Sequence, residues 1–142
     1  MAAEPVSGRR RRIGAILARE RTIVQTYAVG ETDERPWGRW EVLGAGAGHV
    51  VKRITVTPGK RLSLQRHFHR AERWVVVTGE GLVTRGEATF TLGVGEATDI
   101  PVRTLHRIEN TGREDLVFIE VQTGDRLAED DIERLQDDAG RV

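Results

Sequence analysis

The sequence contains no cysteine, which excludes disulfide bonds and thiolate metal ligands. It also has no apolar stretch close to the roughly 20 residues that a helix needs to cross a bilayer. No charge of one sign dominates: 22 Lys and Arg balance 22 Asp and Glu, whereas a general nucleic-acid binder usually has a basic surface. We therefore expect a cytoplasmic protein with no membrane partner and no nucleic-acid partner.

The 142 residues suffice for one ordinary domain with a sizeable core. The charges are unevenly placed, with four arginines at 9–12 and a run of acids between 129 and 138, and we interpret both as solvated ends. We predict a basic leader over residues 1–30, partly disordered and with a short helix at 13–22, where Ile13, Ile16 and Leu17 have helical spacing. Residues 31–142 then form the main domain.

Short runs rich in Val, Ile, Thr and Trp follow one another through this domain, separated by turns that contain Gly or Pro. This pattern is typical of an all-β sandwich or barrel. At the end, Ile132 and Leu135 lie at helical spacing behind several acids, which predicts a helix over 129–136. The predicted strands are 39–43, 50–57, 61–69, 73–78, 81–85, 88–92, 97–100, 104–110 and 116–123.

One segment concentrates polar side chains with metal-binding chemistry. On a strand, Gln65, His67 and His69 share one face, and burying them inside an apolar barrel is costly unless they bind something. Glu72 can reach the same point across a predicted turn at 70–71, and His106 from another strand. Imidazole, carboxylate and amide groups suit a divalent ion such as Zn, Co or Mn. We predict a metal held by Gln65, His67, Glu72 and His106.

Two spaced motifs make the pattern more specific. Gly59-x5-Gln65-x-His67-x4-Glu72-x6-Gly79 resembles the first cupin motif, and Gly95-x5-Pro101-x-Arg103-x2-His106-x3-Asn110 resembles the second. Gln65 stands where many cupins have a histidine, and Arg103 stands where a glycine is usual. The resemblance implies an all-β cupin double-stranded β-helix, or jelly-roll barrel, for residues 31–142. Cupins serve many unrelated functions, so the motifs alone leave the activity open.

A narrower resemblance runs from Arg35 to the end of the sequence. Segments 35–38, 62–67, 70–72, 74–79, 106–110 and 120–124 are similar to the C-terminal cupin domain of type II mannose-6-phosphate isomerases. Such domains are usually fused to a mannose-1-phosphate guanylyltransferase, but no glycine-rich nucleotide-binding signature lies near the start. The resemblance implies a homodimeric isomerase that interconverts mannose 6-phosphate and fructose 6-phosphate in GDP-mannose and polysaccharide biosynthesis.

The implied reaction moves a proton between C1 and C2 of an open-chain sugar through an enediol, which a divalent ion stabilises. We predict His69 as the base, because it shares a strand face with the ligands. Lys52 and Arg107 complete the predicted catalytic set. The sugar phosphate is expected to bind Lys52, Arg107 and Arg35, since Lys and Arg are the usual phosphate partners.

Two alternatives remain open. The loop at 102–105 departs from the turn that the isomerase family usually has, which favours a metal-binding cupin acting on another sugar phosphate. The other alternative is a non-enzymatic sugar-binding or regulatory cupin that uses the basic leader as a docking arm.

Overall fold

The computed structural model describes residues 22–141, which contain thirteen β-strands and no helix. Accordingly, no helix capable of spanning a membrane occurs in that range. The strands are β1 (Val24–Gln25), β2 (Thr32–Arg35), β3 (Gly38–Gly46), β4 (His49–Val56), β5 (Leu64–Arg66), β6 (Arg70–Thr78), β7 (Gly81–Arg85), β8 (Ala88–Leu92), β9 (Ala97–Ile100), β10 (His106–Asn110), β11 (Leu116–Gly124), β12 (Arg126–Leu127) and β13 (Glu133–Gln136).

Two larger sheets enclose the core. One has six strands in the order β2-β3-β4-β11-β6-β9, and the other has five in the order β13-β5-β10-β7-β8. Inward positions alternate along the long strands, as in β4, where Val50, Lys52, Ile54 and Val56 are buried. The core draws on both sheets and includes Trp40, Val42, Ile54, Trp74, Val76, Val83, Ile108, Leu116 and Phe118.

The all-β prediction is confirmed, and the strands predicted at 81–85, 88–92 and 97–100 have the observed bounds. The helix predicted at 129–136 is wrong, because Glu133–Gln136 forms β13 along the edge of β5. There Arg134 pairs with Gln65, and Glu133 binds Arg66 through a 2.8 Å hydrogen bond. Leu135 is 39% exposed, so the expected apolar helix face does not exist. The helix predicted at 13–22 lies outside the described residues except for Thr22.

Residues predicted to belong to the leader contribute to the folded domain. Strand β1 pairs in parallel with β12, Val24 opposite Arg126 and Gln25 opposite Leu127. The ring of Tyr27 is buried against Trp40, and its hydroxyl donates to Glu129 over 2.8 Å. The described part of the domain thus includes residues 24–27.

The strand predicted at 61–69 ends at Arg66, and the predicted turn at 70–71 is wrong because β6 begins at Arg70. The cause is Asp131, which is 5% exposed. Its carboxylate accepts the backbone N–H groups of Phe68 at 2.9 Å and His69 at 3.0 Å. Backbone groups bonded to a carboxylate are not available to a strand ladder, so the chain curls around Asp131 before re-entering the sheet.

Candidate active site

Three of the four predicted metal ligands converge in the interior. His67, Glu72 and His106 are all buried, and one ligand atom from each lies within 4.8 Å of the others. Nε2 of His67 is 3.3 Å from one carboxylate oxygen of Glu72, and Nε2 of His106 is 3.5 Å from the other. Gln65 is buried too, and its Cα pairs with that of His106 across β5 and β10. The structure therefore brings all four predicted residues to one region.

Both histidine rings are fixed through Nδ1. In His67 this nitrogen lies 2.6 Å from the backbone carbonyl of Asp131, and in His106 it lies 2.8 Å from that of Thr104. A carbonyl can only accept, so Nδ1 carries a proton in each ring, and the Nε2 atoms are the ones that face Glu72. Outer hydrogen bonds of this kind orient histidine ligands in metal sites.

The charges of the cluster depend on Arg70. Its Nε donates to Glu72 over 2.9 Å, and a terminal nitrogen lies 3.2 Å from Nε2 of His67. Burial opposes ionisation of Glu72, but the adjacent Arg70 and His67 outweigh that effect and hold the pKa of Glu72 well below its usual range. Burial lowers the pKa of His106 to about 4. The cluster at neutral pH therefore contains an ionised carboxylate and a neutral His106 ring.

This donor set is compatible with a divalent metal ion. Two imidazole Nε2 atoms and a carboxylate face one another, with the Nδ1 atoms already bonded, and such ligands suit Zn, Co and Mn. The Arg70 guanidinium sits between His67 and Glu72. An ion that binds both residues must displace it from their ligand atoms, because ion and guanidinium compete for the same lone pairs.

A cavity opens beside the cluster. Partly exposed Arg35 and Glu129 lie on its wall and mark its mouth, and His106 lies behind Glu72, outside the lining. The lining residues are Arg35, Trp37, Trp40, Lys52, Ile54, Leu62, Ser63, Gln65, His67, Arg70, Glu72, Trp74, Glu120, Glu129, Ile132, Arg134 and Arg141. Five of these side chains are cationic and three are carboxylates, so the cavity favours an anionic ligand.

Glu120 lies on the inner wall of the cavity and is 4% exposed. Its carboxylate accepts hydrogen bonds from the indole of Trp74 at 3.1 Å and the amide of Gln122 at 2.7 Å. The same indole donates to Glu72 over 3.2 Å. Burial, followed by the neighbouring carboxylate of Glu72, raises the pKa of Glu120 to about 7. A carboxyl in this state can both accept and return a proton near neutrality.

Lys52 lies directly opposite Glu120 across β4 and β11. Its ammonium is 4.0 Å from the ring centroid of Tyr27, 4.1 Å from that of Trp40 and 4.0 Å from a carboxylate oxygen of Glu129. Burial lowers the pKa of Lys52. This predicted residue does line the cavity, held between two aromatic rings.

Two predicted site residues do not reach the cavity. The side chain of His69 is 52% exposed and lies 3.7 Å from Asp125, because the turn around Asp131 breaks the alternation that was expected to align it with His67. Arg107 points to the opposite face of β10 from His106. There its guanidinium donates hydrogen bonds to the backbone carbonyl of Leu62 and to the side-chain oxygen of Gln136, each with a length of 3.0 Å. His69 therefore does not share a face with the predicted metal ligands, and Arg107 does not line the cavity in which a phosphate was expected to bind.

Sequence reasoning missed Arg70, Glu120, Asp131 and Arg134 as site residues. A usable signal existed for Glu120, because Glu120 and Gln122 put polar groups on the same strand face as Leu116 and Phe118. Polar residues at buried strand positions point to a site. No comparable signal marks Asp131 or Arg134, since their segment has the periodicity of a surface helix.

The family model for the C-terminal region of mannose-6-phosphate isomerase matches residues 23–137. The chain belongs to this family. Its cupin-type fold also agrees with a solved Klebsiella pneumoniae structure described as having a double-stranded β-helix domain. That structure has a TM-score of 0.60 at 20% identity and covers 78% of this chain and 89% of its own.

Curated relatives place the domain inside longer proteins. The alginate biosynthesis protein AlgA of Pseudomonas aeruginosa is 51% identical over 108 residues, which are 76% of this chain and 22% of AlgA. A mannose-1-phosphate guanylyltransferase of Salmonella muenchen is 47% identical over 106 residues, 75% of this chain and 22% of the relative. This member of the mannose-6-phosphate isomerase C-terminal family thus spans about a fifth of the length of the relatives it matches.

Proposed function

We propose that this domain is a metal-dependent aldose–ketose isomerase that interconverts mannose 6-phosphate and fructose 6-phosphate. The observation that carries the proposal is the buried His67, Glu72 and His106 cluster beside a cavity whose lining has more cations than carboxylates. Membership of the mannose-6-phosphate isomerase C-terminal family supports this substrate. The homodimer expected from the resemblance remains a prediction.

His67, Glu72 and His106 would hold the ion, with Gln65 as a further oxygen ligand beside them. When bound, a divalent ion supplies charge stabilisation at adjacent sugar oxygens. The protein contributes orientation: the carbonyls of Asp131 and Thr104 fix the rings, and the indole of Trp74 fixes the carboxylate of Glu72. These contacts exist before any ligand enters, so the two rings and the carboxylate need little reorganisation on binding. The Arg70 guanidinium is the group that must move.

Glu120 is the proposed base in place of His69. Its carboxylate faces the cavity, and Trp74 and Gln122 orient it. In the forward direction it takes the proton from C2 of the open-chain aldose and returns it to C1, while the hydroxyl proton on O2 passes to O1. The ketose then forms without a net change in the protein. Lys52, opposite Glu120, is placed to hold a substrate oxygen or to stabilise the ionised carboxylate.

The loop at 102–105 differs in sequence from the turn usual in the isomerase family, which favoured a different sugar phosphate as substrate. The position of this loop in the fold weakens that argument. None of these four residues lines the cavity. Val102 instead lies on the outer surface beside Phe68 and His69. The residues that would contact the substrate come from β2, β4, β5, β6, β11 and the C-terminal segment.

The test is conversion of mannose 6-phosphate to fructose 6-phosphate by chelator-treated protein before and after reloading with Zn, Co or Mn. Turnover that disappears with chelator and returns with metal supports the proposal. If protein with demonstrably bound metal does not turn over this substrate, the isomerase assignment fails. Parallel assays with glucose 6-phosphate and unphosphorylated mannose then report whether another sugar is used.

A further inference from the structure

We propose that Arg134 and Arg35 form a phosphate-binding subsite at the mouth of the cavity, which takes the phosphate monoester of the substrate. The identity of that substrate as a hexose phosphate rests on the function proposed above. The subsite itself rests on the positions and charge balance of these two arginines.

Arg134 reaches the cavity because of its register in β13. It pairs directly with Gln65 in β5, and Gln65 pairs with His106 in β10. Cross-strand neighbours point to the same face of a sheet, so the guanidinium shares the interior face with the metal cluster. Two strand spacings of about 4.8 Å separate β13 from β10. That distance is comparable with the length of an extended hexose phosphate, so the metal cluster and Arg134 can engage its two ends.

Other cations along the cavity already have carboxylate partners. Arg70 binds Glu72 over 2.9 Å, and Arg141 binds Asp137 over 2.6 Å. Lys52 and Arg35 share Glu129, with separations of 4.0 and 3.4 Å. The carboxylates near these four groups therefore leave little negative charge for a further cation.

Arg134 is that further cation. Among residues 22–141 it forms no salt bridge, and its Nε atom is buried without a hydrogen-bond partner. Burial and the nearby guanidinium of Arg141 lower its pKa, with a smaller effect from Arg35. A buried donor without an acceptor is costly, and convergence of like charges adds to that cost. A bound dianion relieves both.

Arg35 completes the subsite from the opposite sheet. It ends β2, lines the same cavity, and keeps 26% of its side chain exposed. Its present partners, Asp33 at 2.9 Å and Glu129 at 3.4 Å, are themselves substantially exposed, so the exchange for a phosphate costs little. Guanidinium groups bind phosphate through paired N–H donors, a geometry that Lys cannot reproduce.

Calorimetric titration with inorganic phosphate tests the subsite directly, on both metal-free and metal-loaded protein. We expect wild type to bind phosphate, Arg134→Gln to bind it at least tenfold more weakly, and Arg134→Lys to fall between them. Arg126→Gln is the matched control, because Arg126 lies outside the cavity and its partly exposed guanidinium pairs with Asp130. Equal affinity in Arg134→Gln and wild type, or no binding by wild type, overturns the subsite.

Kinetics separates this subsite from the proposed reaction. If both hold, Arg134→Gln lowers kcat/KM for mannose 6-phosphate at least tenfold while metal content is unchanged. If wild type lacks isomerase activity but phosphate binding still depends on Arg134, the reaction fails and the subsite stands. If wild type is active and Arg134→Gln has unchanged kcat/KM, the reaction stands and the subsite is wrong.

Discussion

The backbone N–H of Arg103 donates a hydrogen bond to the carbonyl of His67 over 2.7 Å. This bond joins the two cupin-like motifs beside the cluster of His67, Glu72 and His106. Arg103 has a φ of 69°, the single non-glycine residue with positive φ between residues 22 and 141. The left-handed conformation costs a residue with a side chain roughly 1–2 kcal/mol. The position that cupins usually fill with glycine is thus occupied by arginine with its backbone still in the glycine conformation.

Substitution at residue 103 should separate backbone strain from side-chain contacts. Arg103→Gly relieves the strain but adds freedom to the unfolded chain, so we expect a free energy of unfolding within about 1 kcal/mol of wild type. Arg103→Val adds β-branching at positive φ and should be about 1–2 kcal/mol less stable than wild type. Urea denaturation of the three proteins measures the difference. A valine variant as stable as wild type would show that the strain is absent.

Metal retention should distinguish the histidines. His67→Ala and His106→Ala remove buried Nε2 donors, and each should cost more than the roughly 10–100-fold in affinity that loss of an outer-shell partner costs. His69→Ala should retain both metal and activity, because His69 is exposed and outside the cavity. Metal analysis after dialysis, with isomerase assays, makes the comparison. Loss of turnover in a metal-loaded His69→Ala protein would show that His69 takes part in catalysis.

Glu120→Gln should leave the fold and the metal in place and abolish proton transfer. The amide keeps the shape of the side chain and can still accept from Trp74, but it cannot take a proton from carbon. General-base catalysis contributes about 100- to 10,000-fold, so kcat should fall within that range. Glu109→Gln is the control, because it makes the same change at a partly exposed carboxylate that faces Arg61. Gln122→Glu is unsuitable because it adds a buried charge. Comparable rates in Glu120→Gln and Glu109→Gln would exclude Glu120.

Arg70→Met should tighten metal binding while it weakens the metal-free fold. Arg70 neutralises buried Glu72 when no ion is bound, and breaking a buried pair costs about 3–5 kcal/mol. The ion no longer displaces a guanidinium from Glu72 and His67, so its affinity should rise at least tenfold. Chelator competition and thermal denaturation with and without metal measure the two effects.

Arg73→Met is the matched control for that experiment, because Arg73 lies on the same strand with an exposed side chain paired to Asp99. We expect this variant to have nearly the metal affinity and the metal-free stability of wild type. Unchanged or weaker metal affinity in Arg70→Met would mean that the guanidinium helps to build the ligand set and does not compete with the ion.

Asp131→Ala should loosen the turn that presents His67. The backbone N–H groups of Phe68 and His69 lose their acceptor, which costs about 1–3 kcal/mol of stability. The carbonyl that holds His67 should also shift, with a fall in metal affinity of about 10- to 100-fold. Asp130→Ala is the control, since Asp130 is exposed and pairs with Arg126. Equal stability and metal affinity in the two variants would contradict this role.

The sequence predicted the parts of this site whose signals are local. Strands β7, β8 and β9 follow from alternation and turn residues, and the spacing of the motifs indicated His67, Glu72 and His106. The position of His69 was predicted wrongly because its backbone N–H donates to the carboxylate of Asp131, which is more than sixty residues away in the sequence. The C-terminal strand was mistaken for a helix because Ile132 and Leu135 have helical spacing, while the free edge of β5 that recruits this segment is a property of the folded sheet. Strand pairing between segments far apart in the sequence does not show in the hydrophobic periodicity of either segment.

The dependence of His67 on Asp131 has a consequence for the order of events during synthesis. His67 and Glu72 are made about sixty residues before Asp131, yet the carbonyl that fixes the tautomer of His67 belongs to Asp131. While residue 131 is still inside the ribosome, the nascent barrel has its imidazole and carboxylate but lacks the group that aims them. The His67 ring can therefore take up its final orientation only after residue 131 has left the ribosome.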